Sequence, residues 1–242
     1  MRKGEKKIIP FISFIIPAWN EESRIAETLK ALQTLSDGNG SLGTGKHEII
    51  VVDDGSTDNT YLEAWPWADV LIRHPRRCGK GGALATGIRK ASGRIFVFLD
   101  ADLHRTAIHA ESLIPPIVRG EADMVIARLP APASRAGLGL VKGLAKNGIR
   151  RLTGYDTTAP LSGQRALKAE VIERIGRLSK GFGIEVGLTI DAVRMGYRIA
   201  EVEVPFTHRE TGRSLSDFSH RGKQFISVGA TLLHKWRVGK PE

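Results

Sequence analysis

Apolar and polar positions along this chain follow two periods. Phe11–Ile16 is apolar except for Ser13, as suits a strand buried on both faces. Within Glu21–Leu35, Ile25, Leu29 and Leu32 then recur at helical spacing. The switch repeats. Glu48–Val52 reads as a strand and Thr57–Trp65 as a short helix capped by Ser56 or Thr57. Val70–Ile72 reads as a strand, Gly82–Ala91 as a helix and Arg94–Leu99 as a strand. Ala107–Val118 is predicted helical, its end disturbed by Pro115 and Pro116, and Asp123–Ala127 is a fifth strand. Such alternation implies parallel βαβ units, with ligand groups at the C-terminal ends of the strands. Past residue 130 the rhythm loosens. Leu138–Leu152 predicts a basic amphipathic helix, 153–163 a loop, Glu185–Met195 a helix and Tyr197–Val204 a strand. Ser219–Val238 predicts a terminal helix with Phe225, Val228, Leu232 and Trp236 as its apolar positions.

Composition narrows the class. The 242 residues fit one large α/β domain or two small ones, and 41% apolar with 26% charged is ordinary for a soluble globular protein with a sizeable core. The one cysteine, Cys78, allows neither an internal disulfide nor a cysteine-based metal framework, so a reducing, cytoplasmic setting is expected. The basic start MRKGEKK and the apolar run after it imitate a leader. That run is too short to span a bilayer, is bracketed by Pro10 and Pro17, and lacks a small-residue cleavage site. The net charge of +10 suits nucleic acid, an anionic membrane face or phosphate-bearing small molecules. With 6% aromatics and no aromatic-basic interleaving, nucleic acid is the poorest fit. The chain reads as soluble, or at most peripheral to a membrane.

The chemistry-bearing residues cluster after strands. Gly38, Gly40 and Gly43 match a dinucleotide fingerprint, but a helix precedes them and a strand follows, the reverse of what that fingerprint requires. Gly79-Lys80-Gly81 lacks the Ser or Thr and the upstream glycine of a phosphate-binding Walker loop. Pro17-Ala18-Trp19-Asn20-Glu21-Glu22 follows the first strand; it can cap a helix with acids, and it also lies where a nucleotide would rest. After the second strand comes Asp53-Asp54-Gly55-Ser56-Thr57-Asp58. Turn chemistry explains Gly55, Ser56 and Asp58 but does not call for two adjacent acids, which can accept from a base or from ribose hydroxyls. Lys80 and Gly81 open a helix, where close backbone approach and the helix N-terminus favour an anion; a solvated loop is the plain competitor. The strongest signal is Asp100-Ala101-Asp102, after an apolar strand. Residues i and i+2 of an extended segment point the same way, so the two carboxylates are expected to converge. A divalent cation would relieve their repulsion and bind a pyrophosphate, and small Ala101 would admit the substrate.

PAWNEE at 17–22, VVDDGSTD at 51–58, GKGGAL at 79–84 and DAD at 100–102, in this order, resemble the nucleotide-sugar glycosyltransferases of family 2. The resemblance is close over roughly 10–130. It implies a GT-A fold, a Rossmann-like and mostly parallel sheet flanked by helices in a single domain. Residues 1–130 would be the donor half and 131–242 the acceptor half. It further implies that Asp53 or Asp54 contacts base or ribose, and that Asp100 and Asp102 hold magnesium or manganese at the donor diphosphate. In the second half, Ser162-Gly163-Gln164-Arg165 and the stretch around Glu185 are similar to the acceptor region of glucosyl-3-phosphoglycerate synthases, as is Thr207-His208-Arg209, whose histidine would complete the metal site. Thr211–Ser214, with Arg213, resembles the basic loop near the diphosphate in polyprenyl-phosphate sugar transferases.

Glu185 is either a helix-start carboxylate or a group that orients or deprotonates an acceptor. The expected reaction is metal-assisted transfer of a hexose from a UDP- or GDP-sugar to a small-molecule or lipid-phosphate acceptor. Asp102, Glu185 and Arg213 are the catalytic candidates, with Lys80 adding positive charge. Two other classes compete. A nucleotidyltransferase would carry a Gly-rich basic loop where PAWNEE stands; a non-catalytic anion-binding or membrane-surface module would not need the acids.

Overall fold

The computed structural model describes residues 11–36, 46–129, 139–179, 181–207 and 215–239, with the backbone alone for Phe182, 215–221 and Lys223. Seven strands form its central sheet: β1 (Ile12–Ala18), β2 (His47–Asp53), β3 (Val70–Arg73), β4 (Ile95–Phe98), β5 (Met124–Arg128), β6 (Arg165–Lys168) and β7 (Ile199–Glu203). Their order is β3-β2-β1-β4-β6-β5-β7. Neighbours are parallel except that β6 runs antiparallel to both β4 and β5.

Successive residues of β1 serve opposite faces. Ile12, Phe14 and Ile16 pack with Ile25, Leu29 and Leu32 of α1 (Ile25–Gln33) and with Ala107, Ala110 and Leu113. Ile15 faces the other layer, where α3 (Lys80–Ile88) supplies Leu84, α6 (Ala169–Ile175) supplies Val171, and α7 (Ile184–Arg194) supplies Leu188. A third cluster joins α5 (Gly139–Thr153), α7 and α8 (Leu215–Val238) through Ala145, Ile190 and Val228. The expected sheet with helices on both faces is present.

Several local expectations need correction. Residues 104–113 form a 3-10 helix, and Pro115 and Pro116 open a separate short helix, α4 (Pro115–Val118), rather than ending the previous one. Proline fits there because first-turn N–H groups have no helical partner. The helix α2 (Thr60–Ala64) begins later than predicted; Asp58 Oδ1, not Ser56 or Thr57, accepts from its first N–H at 3.0 Å. Strand β6 and helix α6, which lie just beyond the expected loop at 153–163, were not predicted.

Candidate active site

Ala18 and Asp53 end β1 and β2 side by side, and the Asp54 N–H donates to Ala18 O at 2.8 Å. The two loops beyond lock together. Asn20 takes a left-handed backbone (φ 55); its N–H donates to Ser56 Oγ, and its Oδ1 accepts from Thr57 N–H, both at 3.0 Å. Glu21 N–H donates to Thr60 Oγ1 at 2.7 Å. Asn20 and Ser56, expected at the donor, thus spend these groups on shaping the strand ends. Pro17 and Ala18 lie within β1 itself.

Asp53 and Asp54 are buried and turned inward. Asp54 accepts from the N–H groups of Cys78 (2.8 Å) and Gly79 (2.7 Å) and meets His74 Nδ1 at 2.8 Å. Asp53 Oδ1 accepts from Ser56 N–H at 2.9 Å, while Arg73 Nε stands 3.2 Å from Oδ2. The Asp54 carboxylate holds the 74–79 loop against β2, while that of Asp53 ties the 53–56 turn to Arg73 of β3. Gly55 completes that packing: at φ 72, a Cβ there would lie 2.9 Å from the Arg76–Arg77 backbone. Above it, the Arg77 guanidinium stacks 3.4 Å from the Trp19 ring centre.

The acidic pair after β4 is arranged differently from expectation. β4 stops at Phe98, and 101–102 form a turn, so strand alternation does not aim Asp100 and Asp102. The turn is fixed instead from α1. Buried Thr28 donates Oγ1–H to Ala101 O and accepts from His104 N–H, each at 2.9 Å. Thr28 is a residue that sequence reasoning passed over; its signal was a polar side chain in the apolar stripe Ile25, Leu29, Leu32. Glu21 faces both acids. Its carboxyl is held above the ordinary range first by burial and then by Asp102 and Asp100, against the pull of Arg24. Glu21, Asp100 and Asp102 thus act on one another's charge, and their hard oxygens suit magnesium or manganese by type, although among the described residues these three do not gather ligand atoms within 4.8 Å of one another.

Asp54, His74 and Cys78 do bring one potential ligand atom each within 4.8 Å. Their S, N and O donors suit a softer metal. Both His74 nitrogens are already engaged, Nδ1 by Asp54 and Nε2 by Thr86 Oγ1 at 3.0 Å.

Asp100 is also where the two halves of the chain meet. Lys80 Nζ donates to its Oδ1 at 2.7 Å, and Gln164 Nε2 to its Oδ2 at 2.5 Å. Glu185 Oε1 lies 3.2 Å from the same Lys80 Nζ. Burial pulls Lys80 down, but the adjacent Asp100 and Glu185 outweigh it and hold the ammonium above the usual lysine range. A Cβ at Gly163 would stand 2.2 Å from Lys80 Nζ, so any side chain there would push the ammonium from its place. Gly81 serves packing: a Cβ there would crowd Ser179 O at 3.2 Å.

Lys80, Asp100, Gly163, Gln164 and Glu185, with Ser162, line a cleft of about 240 Å³ whose remaining wall is Leu129, Val141, Leu161, Gln224 and Val228. Arg165, expected among the acceptor contacts, does not line it. It is 1% exposed, with Nε donating to Ser162 O and Nη1 to Thr189 Oγ1, both at 2.8 Å. Burial pushes it down to about 10, against the raising influence of Glu185, Tyr155 and Glu201, and it stays a cation at neutral pH. It braces the Ser162–Gln164 loop from behind. His208 and Arg213 lie outside the described residues.

The sequence profile described as Glycosyl transferase family 2 matches residues 13–163. The chain belongs to glycosyl transferase family 2. Glucosyl-3-phosphoglycerate synthase of Mycobacterium tuberculosis is 31% identical over 259 aligned positions, which cover 96% of this chain and 74% of that protein. Undecaprenyl-phosphate mannosyltransferase of Micrococcus luteus is 28% identical over 88% of this chain and 90% of its own length. The crystal structure of the Mycobacterium tuberculosis synthase with Mn²⁺, UDP and phosphoglyceric acid superposes with a TM-score of 0.76, at 31% identity, over 96% of this chain and 80% of that one. This family 2 glycosyltransferase therefore has the GT-A fold that its four strand-end motifs resemble.

Proposed function

We propose that this enzyme transfers a hexose from a UDP-sugar to a phosphate-bearing acceptor with the help of magnesium or manganese. The observation that carries the reading is the Asp100 junction: a carboxylate just past the end of β4, bound by Lys80 from the donor half and Gln164 from the acceptor half, its charge and that of Asp102 both acting on Glu21. The relatives support the substrates, since one is named for a phosphoglycerate product and the other for a polyprenyl phosphate.

Asp102 and Asp100, with Glu21 near, would hold the cation, which supplies positive charge to the departing diphosphate. Lys80 adds a fixed ammonium at the same place, oriented by both Asp100 and Glu185. Residues 1–130 then serve as the donor half and 131–242 as the acceptor half, whose Ser162, Gly163, Gln164 and Glu185 face the cleft. An acceptor that attacks through its phosphate is already an anionic nucleophile and needs no base, whereas one that attacks through a hydroxyl would pass its proton to Glu185. Arg213 at the diphosphate and His208 at the cation remain assignments from sequence.

Calorimetric titration with UDP-glucose and GDP-mannose, each with and without manganese, tests the reading. Binding of UDP-glucose that requires manganese and vanishes in Asp102→Ala is expected. Manganese-independent binding that survives Asp102→Ala would falsify it.

A further inference from the structure

Helix α8 has two unlike faces. Val228 and Thr231 are buried against the body of the protein, and Gln224 and Val228 line the cleft. On the opposite side, Ile226, Ala230 and Leu233 recur at helical spacing, flanked by Phe225 and Trp236. Ile226 is 72% exposed and Trp236 68%. Of the ten large apolar side chains exposed among the described residues, five are on this helix, so they form a patch rather than a scatter. The patch begins at the rim of the cleft. Phe225 follows Gln224, and exposed Leu140 precedes Val141, both of which line it.

Charge selects the occupant. Among the side chains described on α5 and α8, Lys142, Arg150, Arg151 and Arg237 are exposed and no acid is, whereas Lys146 pairs with Asp156 and Lys235 turns inward to Asp191. A second copy docking through the same face would bring the same positive field against it. An anionic lipid surface complements both the apolar stripe and the charge around it. Among the described residues no helix is long and apolar enough to cross a membrane. A helix with an exposed apolar stripe, carried beside the exposed cations Lys142, Arg150, Arg151 and Arg237 of α5 and α8, suits the interface instead.

We propose that α8 docks this enzyme on an anionic phospholipid bilayer through Phe225, Ile226, Leu233 and Trp236, with the mouth of the cleft held at the lipid surface. The docking stands without any assumption about catalysis. Its consequence, that the acceptor phosphate is carried by a lipid, rests on the proposed glycosyltransferase reading of the cleft.

Co-sedimentation of the full chain with phosphatidylglycerol–phosphatidylcholine vesicles, and with phosphatidylcholine alone, tests it. Partitioning is expected to be about tenfold or more stronger on the anionic vesicles and to weaken as salt rises. Ile226→Glu with Leu233→Glu should abolish it while leaving far-ultraviolet circular dichroism and manganese-dependent UDP-glucose titration unchanged. As a readout that spares the fold, the fluorescence lost in Trp236→Phe should shift to shorter wavelength when anionic vesicles are added to the unaltered chain. Absence of binding to anionic vesicles, or a Trp236 emission they leave unmoved, overturns the proposal. So does a double variant that converts a dimer to a monomer by light scattering yet still sediments with vesicles, because the face would then be a self-association surface. Intact vesicle binding with no donor binding would sink the transferase reading and leave the docking standing.

Discussion

Residues 12–98 build four parallel strands, each handing its chemistry to the loop that follows it, whereas residues 124–203 add three strands of which the middle one runs backwards. Because β6 is antiparallel to β4, with Phe98 opposite Arg165, the residues just before β6 are the ones that arrive beside Asp100. The first half thus supplies ligands from behind strand ends and the second from ahead of a strand start. A parallel sheet alone gathers donor-side groups at one edge; a single reversed strand is what brings in a second set of side chains from far along the chain.

That contrast can be broken by substitution. Lys80→Met removes the cation that joins Asp100 to Glu185 in the cleft, and kcat should fall about 10²–10³-fold with the fold intact, as for loss of a fixed transition-state charge. A loss confined to KM would show that Lys80 only gathers substrate. Gly163→Ala inserts a methyl against Lys80 Nζ, so activity should drop roughly 10–100-fold through misplacement of the ammonium. In the Lys80→Met background the same change should be nearly silent, because the two act through one contact. Additive losses would mean that Gly163 matters for another reason.

The smallest effect sharpens the difference between carboxylates that react and carboxylates that support. Asp123, just before β5, accepts from Lys168 Nζ at 2.7 Å and from Arg198 N–H at 2.9 Å, away from the cleft. Burial raises its pKa, but hydrogen bonds from Arg198 and Lys168 dominate and hold it well below the usual carboxylate range. Asp123→Asn should leave kcat unchanged and cost about 2 kcal/mol of stability, roughly 5 °C in Tm. Since the folded-state pKa is depressed, the Asp123 contribution is fully present above about pH 4 and fades as pH falls below it. Thermal melts of both chains should converge on acidification; a gap that widened instead would contradict the assignment.

The parallel half was legible because each level agreed: continuous apolar runs such as Ile49–Val52, then turn residues, then helical spacing. The DAD motif was legible as chemistry but not as geometry, since its acids are aimed by a turn clamped to Thr28, a contact between residues far apart in sequence. Strand β6 was hidden because Arg165-Ala166-Leu167-Lys168 is short and carries a charge at each end. A fully buried arginine in a central strand contradicts burial preference, and the carbonyl of Ser162, the hydroxyl of Thr189 and the nearby charge of Glu185 and Glu201 make it tolerable there. The same residue was misread as an acceptor contact for the same reason: an arginine beside a polar loop suggests solvent or substrate, not a brace.

The reversed strand also sets an order of assembly. β1 to β4 can pair as soon as residues 12–98 have left the ribosome, through connections that are local along the chain. β6 closes against β4 only when residues 165–168 have been made, and until then Asp100 has neither Gln164 nor Glu185 near it. The nascent chain therefore passes through a stage with one strand edge open at β4 and its cleft unbuilt. Pulse-labelled hydrogen exchange during refolding should show β1 and β2 amides protected before those of β6; simultaneous protection would rule this order out.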